Sequence, residues 1–231
     1  MTSSATTNAR SPGRKPRVLL LYGGWRGHKP GKFADFACQE LLDGYEVERA
    51  RTVDVLTDAN LKSFDLILPI WTFGHLTARQ QGALMRAVER GLGYVGWHGN
   101  ASSFLECRPH KFMLGGQFVG HPGDDRIRYR VNFKDDDPLV ADLKDFTVVS
   151  EQYYLLIDPA VKVLATSPID GAGMDWIKGV SMPMAWKRKW GEGRVFYCTL
   201  GHSVDVLRKK PVTTLLRRAL AWACRDSEVP Y

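Results

Sequence analysis

The stretch Arg17-Val18-Leu19-Leu20-Leu21-Tyr22, closed by Gly23-Gly24, constrains this chain more than any other. A short, unbroken apolar run fits a strand buried on both faces, as in a parallel sheet covered by helices. Parallel neighbours need crossover connections, so helices must alternate with strands. The sequence supplies that alternation. Over 32–42, Phe33, Phe36, Ala37, Glu40 and Leu41 give helical spacing, and Gly44 stands where the helix should stop. Tyr45 to Arg49 alternates as a second strand, and Phe64 to Ile70 is a third buried strand running into the loop 71–75. Thr77 with Gln80 three residues on is a capping box for a helix in which Leu84 and Val88 share a face, ended by Gly91. Gly93 to Trp97 reads as a fourth strand, and the first is expected at the centre of the sheet. The second half is β-rich, with short runs over 126–133, 146–149, 161–166, 183–190 and 194–199 and a hairpin turn at Gly191-Glu192-Gly193. Leu215, Leu216, Ala219, Leu220 and Ala223 then mark the apolar stripe of a closing helix. The expected fold is α/β: a mostly parallel sheet flanked by helices, with an antiparallel extension from the second half. A tail over 1–16 is expected to be disordered, and 17–225 to form a single domain.

The 231 residues should bury roughly 70 to 75% of the surface that the unfolded chain exposes, enough for a core without staples. Cys38, Cys107, Cys198 and Cys224 are scattered without a C-x-x-C pair, the usage of a reducing compartment. No window holds the ~18 consecutive apolar residues of a membrane span, so no membrane partner is expected. The start of the chain lacks the apolar core of a secretory signal, which leaves a cytoplasmic location, with an organelle transit peptide as the alternative. The net charge is +7, and Arg10, Arg14 and Lys15 in the first sixteen residues reduce it to +4 for the rest. These charges are dispersed and form no nucleic-acid-binding pattern, so nucleic acid is not an expected partner.

In open parallel sheets ligands bind beyond the carboxyl ends of the strands. Four of the six histidines fall there: His28, His75, His98 and His202, while His110 and His121 bracket the glycine-rich stretch 113–118. His28 and His75, taken singly, read as hydrogen-bonded loop or core groups without chemistry. His98 differs, because Gly96-x-His98-Gly99 at a strand-to-helix turn is the pattern of an elbow that presents one side chain. Imidazole there suits proton transfer near neutral pH or metal ligation. His121 reads either as a group over the same crevice or as a turn cap; His202 stands at the end of another strand, and Glu151 is the best-placed acid. Aromatic faces pack on the C–H surfaces of sugars while polar groups meet their hydroxyls. Trp25, Trp71, Trp97, Asn100, Gln117 and Tyr153 are therefore the candidate substrate contacts; ordinary wall packing is the alternative for the aromatics. Trp186 and Trp190 are expected in the core or at a sheet edge.

Gly-Trp-His-Gly at 96–99, Gly-Gly-x-Phe-x-x-His-Pro at 115–122, Glu-x-Tyr at 151–153 and Gly-x-Gly-Arg-Val-Phe-Tyr-x-x-Leu-Gly-His at 191–202 together resemble the trehalose-utilisation, or ThuA-like, family, over about residues 17 to 224. The resemblance implies a flavodoxin-like fold similar to class I glutamine amidotransferases. In those enzymes the elbow carries a cysteine nucleophile; here it carries His98, and Cys107 lies nine residues downstream. Glutamine hydrolysis is therefore not expected. His202 resembles the amidotransferase histidine in position, followed by Ser203-Val204 instead of Pro-Glu. Where the family usually has Asp-Glu-x-Tyr, this chain has Ser150 in the first position. The family association implies a carbohydrate substrate, a sugar or a keto sugar.

Two functions follow. The first is an enzyme acting on a keto-glycoside or disaccharide, with His98, His121, His202 and Glu151 as the reactive cluster and no nucleotide cofactor. A divalent metal, zinc or manganese, on His98, His121 and His202 is a further expectation. Two-carboxylate glycoside hydrolysis ranks lower, since a second acid, Asp124 or Asp175, lacks motif support. The second function is a non-catalytic sugar-binding or regulatory protein on the same scaffold. An exposed strand edge would be covered by a second copy, which makes a homodimer an expectation as well.

Overall fold

The computed structural model describes residues 14–134, 136–171 and 173–231. Strands β1 (Arg17–Gly24), β2 (Glu46–Ala50), β3 (Leu66–Thr72) and β4 (Gly93–Trp97) come from the first half. The second half adds β5 (Gly116–Gly120), β6 (Ile127–Phe133), β7 (Phe146–Ser150), β8 (Tyr154–Ile157), β9 (Lys162–Pro168), β10 (Ser181–Trp190) and β11 (Gly193–Cys198). Nine of them form one sheet in the order β2-β1-β3-β4-β11-β10-β9-β6-β7, while β5 and β8 pair as a separate antiparallel ribbon. From β2 to β11 every pairing is parallel; from β11 to β7 every pairing is antiparallel. The parallel block thus has the flavodoxin order, with β11 in fifth place.

Two expectations are corrected by this topology. β1 is an interior strand but lies second from one edge; the middle of the sheet belongs to β11. The run at 194–199 is not only half of a hairpin, because its other edge pairs in parallel with β4.

The apolar run in β1 is buried on both faces because successive side chains enter opposite layers. Val18 and Leu20 join the layer of α1 (Pro30–Phe36) and the long closing helix, while Leu19 and Leu21 join the other. That second layer holds Leu61 of α2 (Asp58–Leu61), Leu84 and Val88 of α3 (Ala78–Glu89) and Met113 of α4 (Arg108–Leu114). On the first face, α5 (Val204–Leu207) leads into α6 (Lys210–Ala223), whose Leu215, Leu216, Ala219 and Leu220 are buried. α1 runs on through a wider π-type turn over Ala37–Leu41, and α3 carries the capping box at Thr77 and Gln80. Trp186 is fully buried and donates from Nε1 to the Leu114 carbonyl at 2.7 Å.

Most of the expected tail lies outside the described residues. Arg14 and Pro16, however, are tied to the body: Arg14 pairs with Asp65 at 2.8 Å, and the Pro16 carbonyl accepts from Glu46 N at 2.8 Å. Chain beyond 225 also packs, with Arg194 donating to the Val229 carbonyl at 2.7 Å. Among the described residues, no helix is long and apolar enough to cross a membrane.

Candidate active site

β4 delivers its last residue, Trp97, to the carboxyl edge of the sheet, and the chain turns at once into a 3-10 turn over His98–Ser102. His98 takes φ +43, a left-handed conformation uncommon for a residue with a Cβ. The flanking glycines make this turn sterically feasible. A Cβ on Gly96 would stand 2.3 Å from Asn100 Oδ1, and one on Gly99 would stand 2.1 Å from Thr72 Oγ1. Tyr197 donates to the His98 carbonyl at 2.7 Å, and Lys111 of α4 donates to the carbonyls of Ala101 and Ser103. Elbow geometry is thus present, but the side chain is not exposed as an elbow would suggest: His98 is only 3% accessible.

The protonation of His98 follows from its partners. Its Nδ1 lies 3.0 Å from the Thr199 carbonyl, which can only accept, so Nδ1 carries the proton and Nε2 keeps a lone pair. Nε2 faces the Tyr153 hydroxyl at 3.1 Å and Glu151 Oε2 at 3.3 Å. Burial, helped by the neighbouring His28, pushes His98 down to about 3, so the ring is neutral.

Glu151, in the connection from β7 to β8, is the hub. Its Oε1 lies 3.2 Å from His202 Nδ1 and 3.8 Å from His121 Nε2. Burial works to raise this carboxyl, but contact with His202 and the nearby imidazoles outweighs it and holds the group below its ordinary value. The same carboxylate raises His202 against its own desolvation. Tyr153, buried beside Glu151, is held well above the usual phenol range and remains a neutral donor. His202 comes from the turn between β11 and α5, and His121 from the loop after β5. With side chains 31% and 42% accessible, these two form the open side of the cluster.

A fourth imidazole joins them unforeseen. His28, on the turn that follows β1, lies with its ring centre 4.9 Å from that of His98 and 5.8 Å from that of His202. Its Nδ1 is 2.9 Å from Thr72 Oγ1, and burial lowers its affinity for a proton. It is thus the hydrogen-bonded loop group that its position suggests, and it lies beside the imidazoles of His98 and His202 as well. His75 does stay outside, exposed and paired with Glu106 at 3.2 Å, and His110 is buried against the Tyr94 hydroxyl at 2.8 Å.

The candidate substrate contacts divide. Trp25, half exposed, stands edge-on to His28 at 4.7 Å, and Tyr153 lies over His98 at 4.7 Å. Trp71 stands 6.1 Å from Phe104, and Trp97 is buried in the core. Asn100 is wholly occupied by the elbow: its Oδ1 accepts from Tyr94 and its Nδ2 donates to Ser103. Gln117 is half-buried on β5; strand alternation turns it away from the face on which Phe118 meets Tyr153 at 4.5 Å. Asp124 accepts from the Arg126 amide at 2.7 Å within its own turn. A cleft of about 450 Å³ opens against His28 and His202, with Lys29, Lys32, Phe33 and Arg208 on its other walls. That volume falls in the range of small-molecule sites.

Fold comparisons place the chain beside a ThuA-like protein from Bacteroides uniformis, at TM-score 0.75 and 18% identity, covering 95% of each chain. A ThuA-like protein from Parabacteroides merdae superposes at TM-score 0.74 with 15% identity, covering 94% of each. The β-galactosidase of Rahnella sp. R3 matches at 0.62 and 15% identity, with 92% of this chain lying on 31% of the enzyme. No curated protein matches the sequence. The ThuA family model, described as trehalose utilisation, aligns from residue 17 to residue 223 and so takes in every strand of the sheet and the turns that carry His28, His98, Glu151 and His202; the chain belongs to the ThuA family.

Proposed function

We propose that this protein is an enzyme of carbohydrate breakdown that moves a proton beside a carbonyl of a keto-glycoside or disaccharide. The family's association with trehalose utilisation supports the substrate class. The observation that carries the chemistry is the pairing of the half-buried Glu151 carboxylate with His98, His202 and His121, imidazoles from three strand ends, of which His202 also lines a cleft of sugar size.

A ketone acidifies the C–H on the adjoining ring carbon. Positive charge held by Glu151 at the His202 side of the cluster polarises the carbonyl oxygen, and His121, at the rim, takes the proton. The C–H electron pair moves into the ring and onto the carbonyl oxygen as an enolate. Protonation of the other face by water, with the proton on His121 passing to the hydroxide left behind, gives the epimer. Where a glycosidic oxygen sits one carbon further on, the enolate expels it, and the proton on His121 goes to the leaving oxygen. Neutral His98 is a weak base at this depth, which leaves it a positioning or ligating role.

Incubating the protein with oxidised disaccharides in deuterated water tests this reading. Loss of one C–H signal, or release of a monosaccharide, is expected. Saturable sugar binding with neither change would instead make the protein a sugar-binding module.

A further inference from the structure

We infer that His28, His98, His202 and Glu151 form the ligand set of a single divalent transition-metal ion, with His121 outside it as the proton carrier. One ligand atom from each of the four lies within 4.8 Å of all the others. They come from far-apart segments, the turns after β1, β4 and β11 and the connection after β7. Three imidazoles and a carboxylate suit zinc or manganese.

Local chemistry argues for a cation among them. The lone pair on His98 Nε2 and the carboxylate oxygen Glu151 Oε2 are both acceptors, 3.3 Å apart, and Tyr153 has a single proton to offer. His202 Nδ1 is buried, lies 3.2 Å from Glu151 Oε1, and has no well-aligned hydrogen bond. Both spacings are close to the ~3.4 Å between neighbouring ligands on a tetrahedral ion with ~2.1 Å bonds. Two of the imidazoles are also fixed from behind, as ligating histidines are: His98 by the Thr199 carbonyl and His28 by Thr72 Oγ1. His121 Nε2 approaches only the carboxylate, at 3.8 Å, from the exposed side.

In the proposed reaction this ion would be the positive charge at the carbonyl oxygen, and to that extent the inference rests on the preceding reading. Its test reads binding rather than turnover, so the two can fail separately. Metal-stripped protein is titrated with Zn²⁺, Mn²⁺ and Co²⁺ by calorimetry, with bound metal measured by elemental analysis, Co²⁺ coordination read by visible absorption, and folding checked by circular dichroism. One ion per chain is expected. His28→Ala and His202→Ala should each weaken binding at least ~10-fold. His121→Ala should lose turnover while keeping the ion, and Tyr153→Phe should bind it no more weakly than the parent. Absence of saturable binding to the folded parent overturns the site, as does loss of binding in His121→Ala with retention in His28→Ala. Stoichiometric binding without any reaction on keto sugars upholds the site and overturns the reaction.

Discussion

His98 combines a left-handed backbone with a buried ring held by Thr199 and Tyr153, and the two demands can be separated by substitution. Asparagine tolerates that backbone better than most residues and fills part of the space. His98→Asn should lower turnover by roughly 10- to 100-fold, the scale of a lost positioning group, while its urea midpoint stays close to that of the parent. His98→Ala should also lose about 1–3 kcal/mol of stability, because the Thr199 carbonyl and the Tyr153 hydroxyl lose their partner. At this scale the sequence was informative where the motif was local. Gly-x-His-Gly pointed to His98, although the burial of the ring depends on Tyr153 and Thr199, which arrive from distant segments. His28 and His75 both follow parallel strands and look alike in sequence. What parts them is tertiary: His28 turns inward onto Thr72, and His75 turns outward onto Glu106.

The elbow turn depends on an element outside it. Lys111 of α4 is buried, and its ammonium donates to two carbonyls of the turn instead of pairing with an acid. Burial lowers it from 10.5 to about 8. Between those values the unfolded chain binds the extra proton, so stability should rise as pH climbs from about 8 towards 10.5. Below about 8 both states carry the charge and the full desolvation penalty remains. Lys111→Met should lack that rise, as urea denaturation on either side of the window will show. It should also slow turnover by loosening the turn beneath His98. Elements with strong local signals were legible: the buried strands β1, β3 and β4 as apolar runs, and α3 from its cap. β5 and β8 were not, since β5 begins and ends on glycine and β8 is four residues long, so each exists as a strand only through the other.

Across the whole molecule, the antiparallel part is cross-tied by a buried ion pair that links the chain after β6 to β9 and β10. Asp137, just after β6, meets Lys187 of β10 at 2.8 Å with both side chains inaccessible, and meets Lys162 of β9 at 3.0 Å. Lys187 also faces the rings of Trp222 in α6 and Tyr231. Asp137→Ala should cost about 3–5 kcal/mol in denaturant unfolding, because it strands a buried ammonium. The change from parallel to antiparallel pairing was legible from the shift to short β-rich runs. The seat of β11 was not, because an apolar strand carries no record of which neighbour will take its second edge. That seat bears on how the protein is made. A nascent chain emerges from the ribosome with β4 complete and one side of it bare, and roughly a hundred further residues must be translated before β11 can fill the gap and bring His202 beside His98. Until then the growing polypeptide offers an open parallel edge that a chaperone would have to shield, and prematurely terminated products will be inert and prone to clump.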